Sequence, residues 1–219
     1  MKQPISKTMR EARGVFLDSF LLKNIVLVQA VGICPIIAIG THLQYGVVLA
    51  VCTALVLLPA SLFMSLCGDK LPPWLRAPLY TVGAGAILLG AAVFIDRVIS
   101  HELYAVLYLF IPLMAVNTLV SYRAGGFSVS HEPVLALTDA LASSLGFGLV
   151  LCVVSALREM ASYGTLWNIP LGTELTLPEA ALPYAAFIML GFMAAFLQWL
   201  KSLLSRRAEK RRGRRGAQR

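Results

Sequence analysis

NIVLVQAVGICPIIAIGTHL, residues 24–43, carries no Lys, Arg, Asp or Glu over a length that matches a bilayer crossing. A helix needs about 20 apolar residues to span the hydrocarbon layer. Yet Pro35 cannot donate to the carbonyl four residues back, and Gly32 frees the backbone just before it. The expectation is therefore a span interrupted at Gly32-Ile33-Cys34-Pro35. Cys34 lies ten residues in from Asn24, about 15 Å of helical rise, which places it near the midplane of a ~30 Å core. Irregular backbone at that depth is tolerated only inside protein.

The rest of the chain extends this reading. Of 219 residues, 58% are hydrophobic and 14% charged, with a mean hydropathy of +0.76. Such a composition leaves too little polar surface for a soluble domain of this size. Five further apolar runs follow, at 46–67, 77–95, 104–122, 136–157 and 183–204. An all-α integral membrane protein with six transmembrane helices is expected.

Charge orients it. Lys2, Lys7, Arg10, Arg13 and Lys23 precede the first span, and nine basic residues from Lys201 to Arg219 follow the last apolar core. Cytoplasmic loops carry the basic excess, so both termini are expected in the cytoplasm. An even number of crossings agrees with this. Of the 19 basic residues, only Arg97 and Arg158 then fall on the outer side. The net charge of +8 is thus accounted for by topology and by anionic lipid at the basic termini, without nucleic acid. Three segments are expected: a cytoplasmic amphipathic segment, 1–23; a six-helix membrane domain, 24–205; and a basic cytoplasmic tail, 206–219. In the first, Ile5, Met9, Ala12, Phe16 and Phe20 recur at helical spacing. The longest connection, about 163–183, reads as an outer lid or docking loop.

The two halves share a pattern. YLFIPLMAVNTLVSYRA opens the second half and is interrupted by Pro112, with the polar pair Asn117-Thr118 beyond it. Spans one and four are thus both broken, and three spans separate them. This points to an inverted 3+3 repeat with a functional centre where the breaks meet.

Of the four cysteines, Cys34, Cys52, Cys67 and Cys152, none forms a C-x-x-C pair, so this chain alone builds neither a zinc ribbon nor an iron–sulfur cluster. Cys52, Cys67 and Cys152 read as small buried hydrophobes. Ionisable residues near the spans are Asp96, Asp139 and the pair Arg158-Glu159. Their interfacial positions suggest snorkelling and capping, with Asp139 the candidate for ion coupling. Gly83, Gly85 and Gly90 in span three, and Ser143, Ser144, Gly146 and Gly148 in span five, favour close helix contacts.

Several of these runs resemble one family in the same order. Gln29, Gly32, Cys34 and Pro35 match the Q-x-x-G-x-C-P core of RnfE/NqrD-type membrane subunits of ion-translocating electron-transfer complexes. FIPLMAVNTLVSYRAGGF resembles their fourth span, and ALTDALASSLGFGLVLCVVSALREMASYGTLW their fifth. The likeness covers about 23–205. It implies a subunit of the bacterial cytoplasmic membrane that helps pass electrons across it, coupled to Na⁺ or H⁺ transport. It also implies a paralogous RnfA/NqrE-type partner and a [2Fe-2S] cluster shared with it, each subunit giving one cysteine from span one and one from span four. Cys34 matches the first. Thr118 occupies the position of the second, and Gly125 replaces the family's glutamate after Arg-Ala. Asn117 would be a donor to the cluster sulfurs. Flavins would sit on other subunits, since no Gly-rich nucleotide loop is present here.

Three readings stay open: a cluster completed otherwise, a cluster-free scaffold that keeps the ion-coupling role, and an inverted-repeat small-solute transporter.

Overall fold

The computed structural model describes residues 25–99, 101–170 and 176–216. The amphipathic N-terminal pattern lies outside them. The described chain is almost entirely helical. The run expected as span one is two short helices, α1 (Ile25–Gln29) and α2 (Ile33–Ile39). A long helix, α3 (Leu43–Cys67), follows, and a 3₁₀ turn, Gly68–Lys70, ends it. Helix α4 (Pro73–Phe94) runs on through a π-helical turn, Ile95–Ile99.

Span four is again in pieces: α5 (His101–Leu107), α6 (Phe110–Leu113), a 3₁₀ turn, and α7 (Thr118–Tyr122). Further π and 3₁₀ turns carry it to Ser130. Helix α8 (Pro133–Tyr163) starts with proline at its first position, where a missing N–H costs nothing. It ends on Gly164 in the left-handed conformation, φ 63°, the usual glycine stop. A two-stranded hairpin follows, with Thr165 opposite Pro170 and Leu166 opposite Ile169. Helix α9 (Pro183–Gly216) is the last described element.

Four segments are long and apolar enough to cross a membrane: Leu43–Lys70, Pro73–Val98, Pro133–Tyr163 and Pro183–Leu203. A fifth is the pair His101–Leu107 and Phe110–Ser130, bent by 52°. This is a multi-pass membrane protein.

Helices α3 and α8 form the centre and run antiparallel. Near the start of α3, a methyl group on Gly46 would stand 2.8 Å from Ser155 Oγ, late in α8. Midway, one on Gly148 would stand 3.1 Å from Ala50 Cβ. At the far end, Ser65 Oγ donates to the His131 carbonyl at 2.7 Å, just before α8 begins. Lipid tails give apolar helices no hydrophobic reason to associate, so backbone approach over small residues does that work. Leu49, Val56, Leu57 and Met64 of α3 meet Phe147, Val150, Leu151 and Val154 of α8 in the buried core. By contrast only 11% of the apolar window of α9 is buried.

Two expectations are corrected here. Pro35 is not where span one breaks: it sits in the first turn of α2 and is buried, where its missing N–H is harmless. The chain turns at Ala30 (φ 55°) and at Gly32 (φ 79°), the first residue of the expected interruption. Pro112 likewise lies within α6, and span four breaks on either side of it, at the bend before Phe110 and at Asn117. The second correction concerns Gly83, Gly85 and Gly90. A methyl group on any of them would meet nothing within 4 Å, so span three makes no close contact through them in the isolated chain.

Candidate functional site

The two breaks meet. Gly32, in its left-handed conformation, is the residue before α2, and its N–H donates to Thr118 Oγ1 at 2.9 Å, across 86 residues of sequence. The first amides of any helix have no intrahelical acceptor; here an acceptor comes from the other half of the chain. Thr118 is itself the first residue of α7, and Asn117 caps that helix by accepting Leu119 N–H on Oδ1 at 3.1 Å. The same Oδ1 would lie 3.3 Å from a methyl group on Gly32, with Leu119 Cβ and Phe147 closing the other sides. A side chain on Gly32 would therefore push the breaks apart. Asn117 Nδ2 points to Met114 Sδ at 3.8 Å. Cys34 and Thr118 are both exposed, each in the first turn of its half-helix.

Further charges secure the ends of these helices. Arg158 and Glu159 are completely buried, so snorkelling is excluded. The Arg158 guanidinium donates through Nη1 to the carbonyls of Ile36, Ile37 and Gly40, at 3.3, 3.2 and 3.1 Å, at the C-terminal end of α2. Through Nε and Nη2 it holds the carbonyls of Ala180 and Ala181. Glu159 faces the next helix. Its Oε2 accepts the Leu43 amide of α3 at 2.7 Å, while Oε1 accepts Asn168 N–H at 2.8 Å and the Thr165 hydroxyl at 3.2 Å. A signal for this was present in the sequence: two adjacent ionised residues closing an apolar run must be satisfied by something.

Asp139, at the other end of α8, is also buried. Both its carboxylate oxygens accept from Arg123 Nη1, at 2.9 and 3.0 Å. Arg123 lies in the turn after α7, so the pair ties the tail of span four to the start of α8.

The donors present bear on the cofactor expectation. Of the thiols, Cys52 is buried in α3, and among the described residues no three His, Cys, Asp or Glu side chains group where they could hold a metal ion. At the junction of the breaks the chain offers one thiol, Cys34, and a hydroxyl already engaged by Gly32. Iron–sulfur clusters are held by four protein ligands, thiolates with histidine as the substitute. These residues do not fit a half-share of a [2Fe-2S] cluster.

A family described as Rnf-Nqr subunit, membrane protein, matches residues 12–194. The chain belongs to that family. The E-type subunit of the ion-translocating oxidoreductase complex from Edwardsiella ictaluri is 31% identical over 224 residues, covering 95% of this chain and 93% of that one. The subunits of the same description from Thioalkalivibrio sulfidiphilus and Shewanella piezotolerans are each 32% identical, over 91% and 84% of this chain and 92% and 86% of theirs. The Rnf-Nqr match takes in both breaks and all of α8, with Arg123, Asp139, Arg158 and Glu159.

Proposed function

We propose that this chain is the E-type membrane subunit of an ion-translocating oxidoreductase complex in the bacterial cytoplasmic membrane. It crosses six times as an inverted 3+3 repeat, with both termini cytoplasmic, and packs against a paralogous RnfA/NqrE-type subunit. The observation that carries this reading is the Gly32–Thr118 hydrogen bond. It joins the breaks of the first and fourth spans, the leading elements of the two halves. Helices α3 and α8, the second element of each half, run antiparallel beside them, as opposite topologies require.

Within the complex, electron-carrying flavins belong to other subunits. This chain's residues build a rigid junction at membrane depth. Arg158 and Glu159 fix the elbow between α2 and α3. Asn117 and Thr118 fix where α7 starts against Gly32. Asp139 takes part in ion coupling as half of a pair: binding a cation there requires releasing the carboxylate from Arg123. Membership in the Rnf-Nqr family favours this role over a small-solute transporter.

The test uses cells lacking the chain, complemented with a tagged copy. The tagged chain is expected to co-purify the paralogous subunit. Membrane vesicles are expected to regain ion uptake driven by the complex's redox substrates. A chain that purifies without the paralogue, and whose loss leaves that uptake intact, would overturn the assignment.

A further inference from the structure

We infer that in this chain the junction of the two broken helices is closed by a hydrogen bond and not bridged by an iron–sulfur cluster, with Thr118 as the residue that positions it. The inference rests on the subunit assignment above and concerns the one position where the chain departs from the cysteine pair that its resemblance implies.

Two independent observations carry it. The first is the ligand count. Beside the junction stand one thiol, Cys34, and no second cysteine, because Cys52 is buried in α3 and Cys67 and Cys152 lie on α3 and α8. A cluster here would need three ligands from one partner, against the four shared ligands that such clusters use.

The second is what the hydroxyl does. Thr118 Oγ1 accepts the Gly32 amide at 2.9 Å. A hydroxyl oxygen accepts well, whereas a thiol sulfur accepts weakly. In a bilayer no water is at hand to satisfy that amide. Substituting cysteine by threonine therefore removes a metal ligand and supplies an acceptor in one step. Gly32 itself is the third part of the fit. Its left-handed backbone, and the 3.3 Å that a methyl group would have to Asn117 Oδ1 and Leu119 Cβ, let the two half-helices come this close.

The experiment compares wild type with Cys34→Ser, Thr118→Ser and Thr118→Val. In the purified complex, iron and acid-labile sulfide are measured per complex for wild type and C34S. Clusters on other subunits cancel in that difference. Equal values are expected; a cluster's worth of iron and sulfide missing from C34S would overturn the inference. In the chain alone, in detergent, hydrogen–deuterium exchange is followed over residues 24–43. T118V is expected to exchange faster there than wild type, with T118S restoring protection. Unchanged exchange in T118V, or no rescue by serine, would equally overturn it. If the paralogous subunit does not co-purify, the subunit assignment fails, and the exchange arm still decides on the hydrogen bond.

Discussion

Arg158 and Glu159 are neighbours of opposite charge, and each is turned to a different helix end. The C-terminal carbonyls of a helix carry partial negative charge and its N-terminal amides partial positive charge. Arg158 stands at the carbonyl end of α2 and Glu159 at the amide end of α3. Between them they satisfy backbone groups of the elbow 36–43. Removing Arg158 leaves the carbonyls of Ile36, Ile37 and Gly40 without that donor, and a buried acceptor that loses its partner costs about 1–3 kcal/mol. Arg158→Met should therefore lower the unfolding free energy of the detergent-solubilised chain by about 3 kcal/mol. Arg158→Lys should recover part of it, since an ammonium lacks the planar fork that reaches two segments at once. Denaturant titration of both variants checks this. A methionine variant as stable as wild type would remove Arg158 from the role.

Between elements, glycine placement separates contacts that sequence alone could not. The glycines of spans three and five look equivalent in the chain, yet Gly148 of α8 and Gly46 of α3 face close neighbours while Gly83, Gly85 and Gly90 face none. Gly46→Ala would force its methyl group to 2.8 Å from Ser155 Oγ. Overpacking of this kind costs about 1–3 kcal/mol. Gly83→Ala meets open space and replaces the poorer helix former, so in the isolated chain it should stabilise by up to about 1 kcal/mol. Opposite signs in the two melting midpoints are the expected result; equal shifts would contradict the packing described here. The same limit explains the rest of what the sequence hid. That the runs 24–43 and 104–122 break was legible, because proline and glycine punctuate apolar runs. Which side of Pro35 the chain turns on was not, because proline is at home in a first helical turn. Which groups satisfy Arg158 was also hidden. Its acceptors at Ile36 and Gly40 lie about 120 residues away, and the packing of α2 against α8 brings them to it.

Across the whole molecule, the ends of the central helix pair carry the topology. The 3₁₀ turn after α3, holding Lys70, packs beside the turn before α8, with Gly68 against Val129. Arg123 is tied to the start of α8 through Asp139. Arg158 and the 165–170 hairpin stand at the other end of α8. Lys70 and Arg123 thus share one end of the pair, the end that the positive-inside bias assigns to the cytoplasm. Helix α8 is 31 residues long, about 46 Å at 1.5 Å per residue, so its two ends lie on opposite faces of the bilayer. Asp69, Glu132 and Ile169 are all exposed and mark those ends. In a background with the four cysteines replaced by serine, each is changed in turn: Asp69→Cys, Glu132→Cys and Ile169→Cys. A membrane-impermeant maleimide applied to intact spheroplasts should label only the Ile169 variant. The Asp69 and Glu132 variants should label after permeabilisation, and together. Labelling of the Asp69 variant from outside, with the Glu132 variant protected, would put the end of α3 and the start of α8 on different faces. The antiparallel pairing of these helices, and the inverted repeat built on it, would then fail.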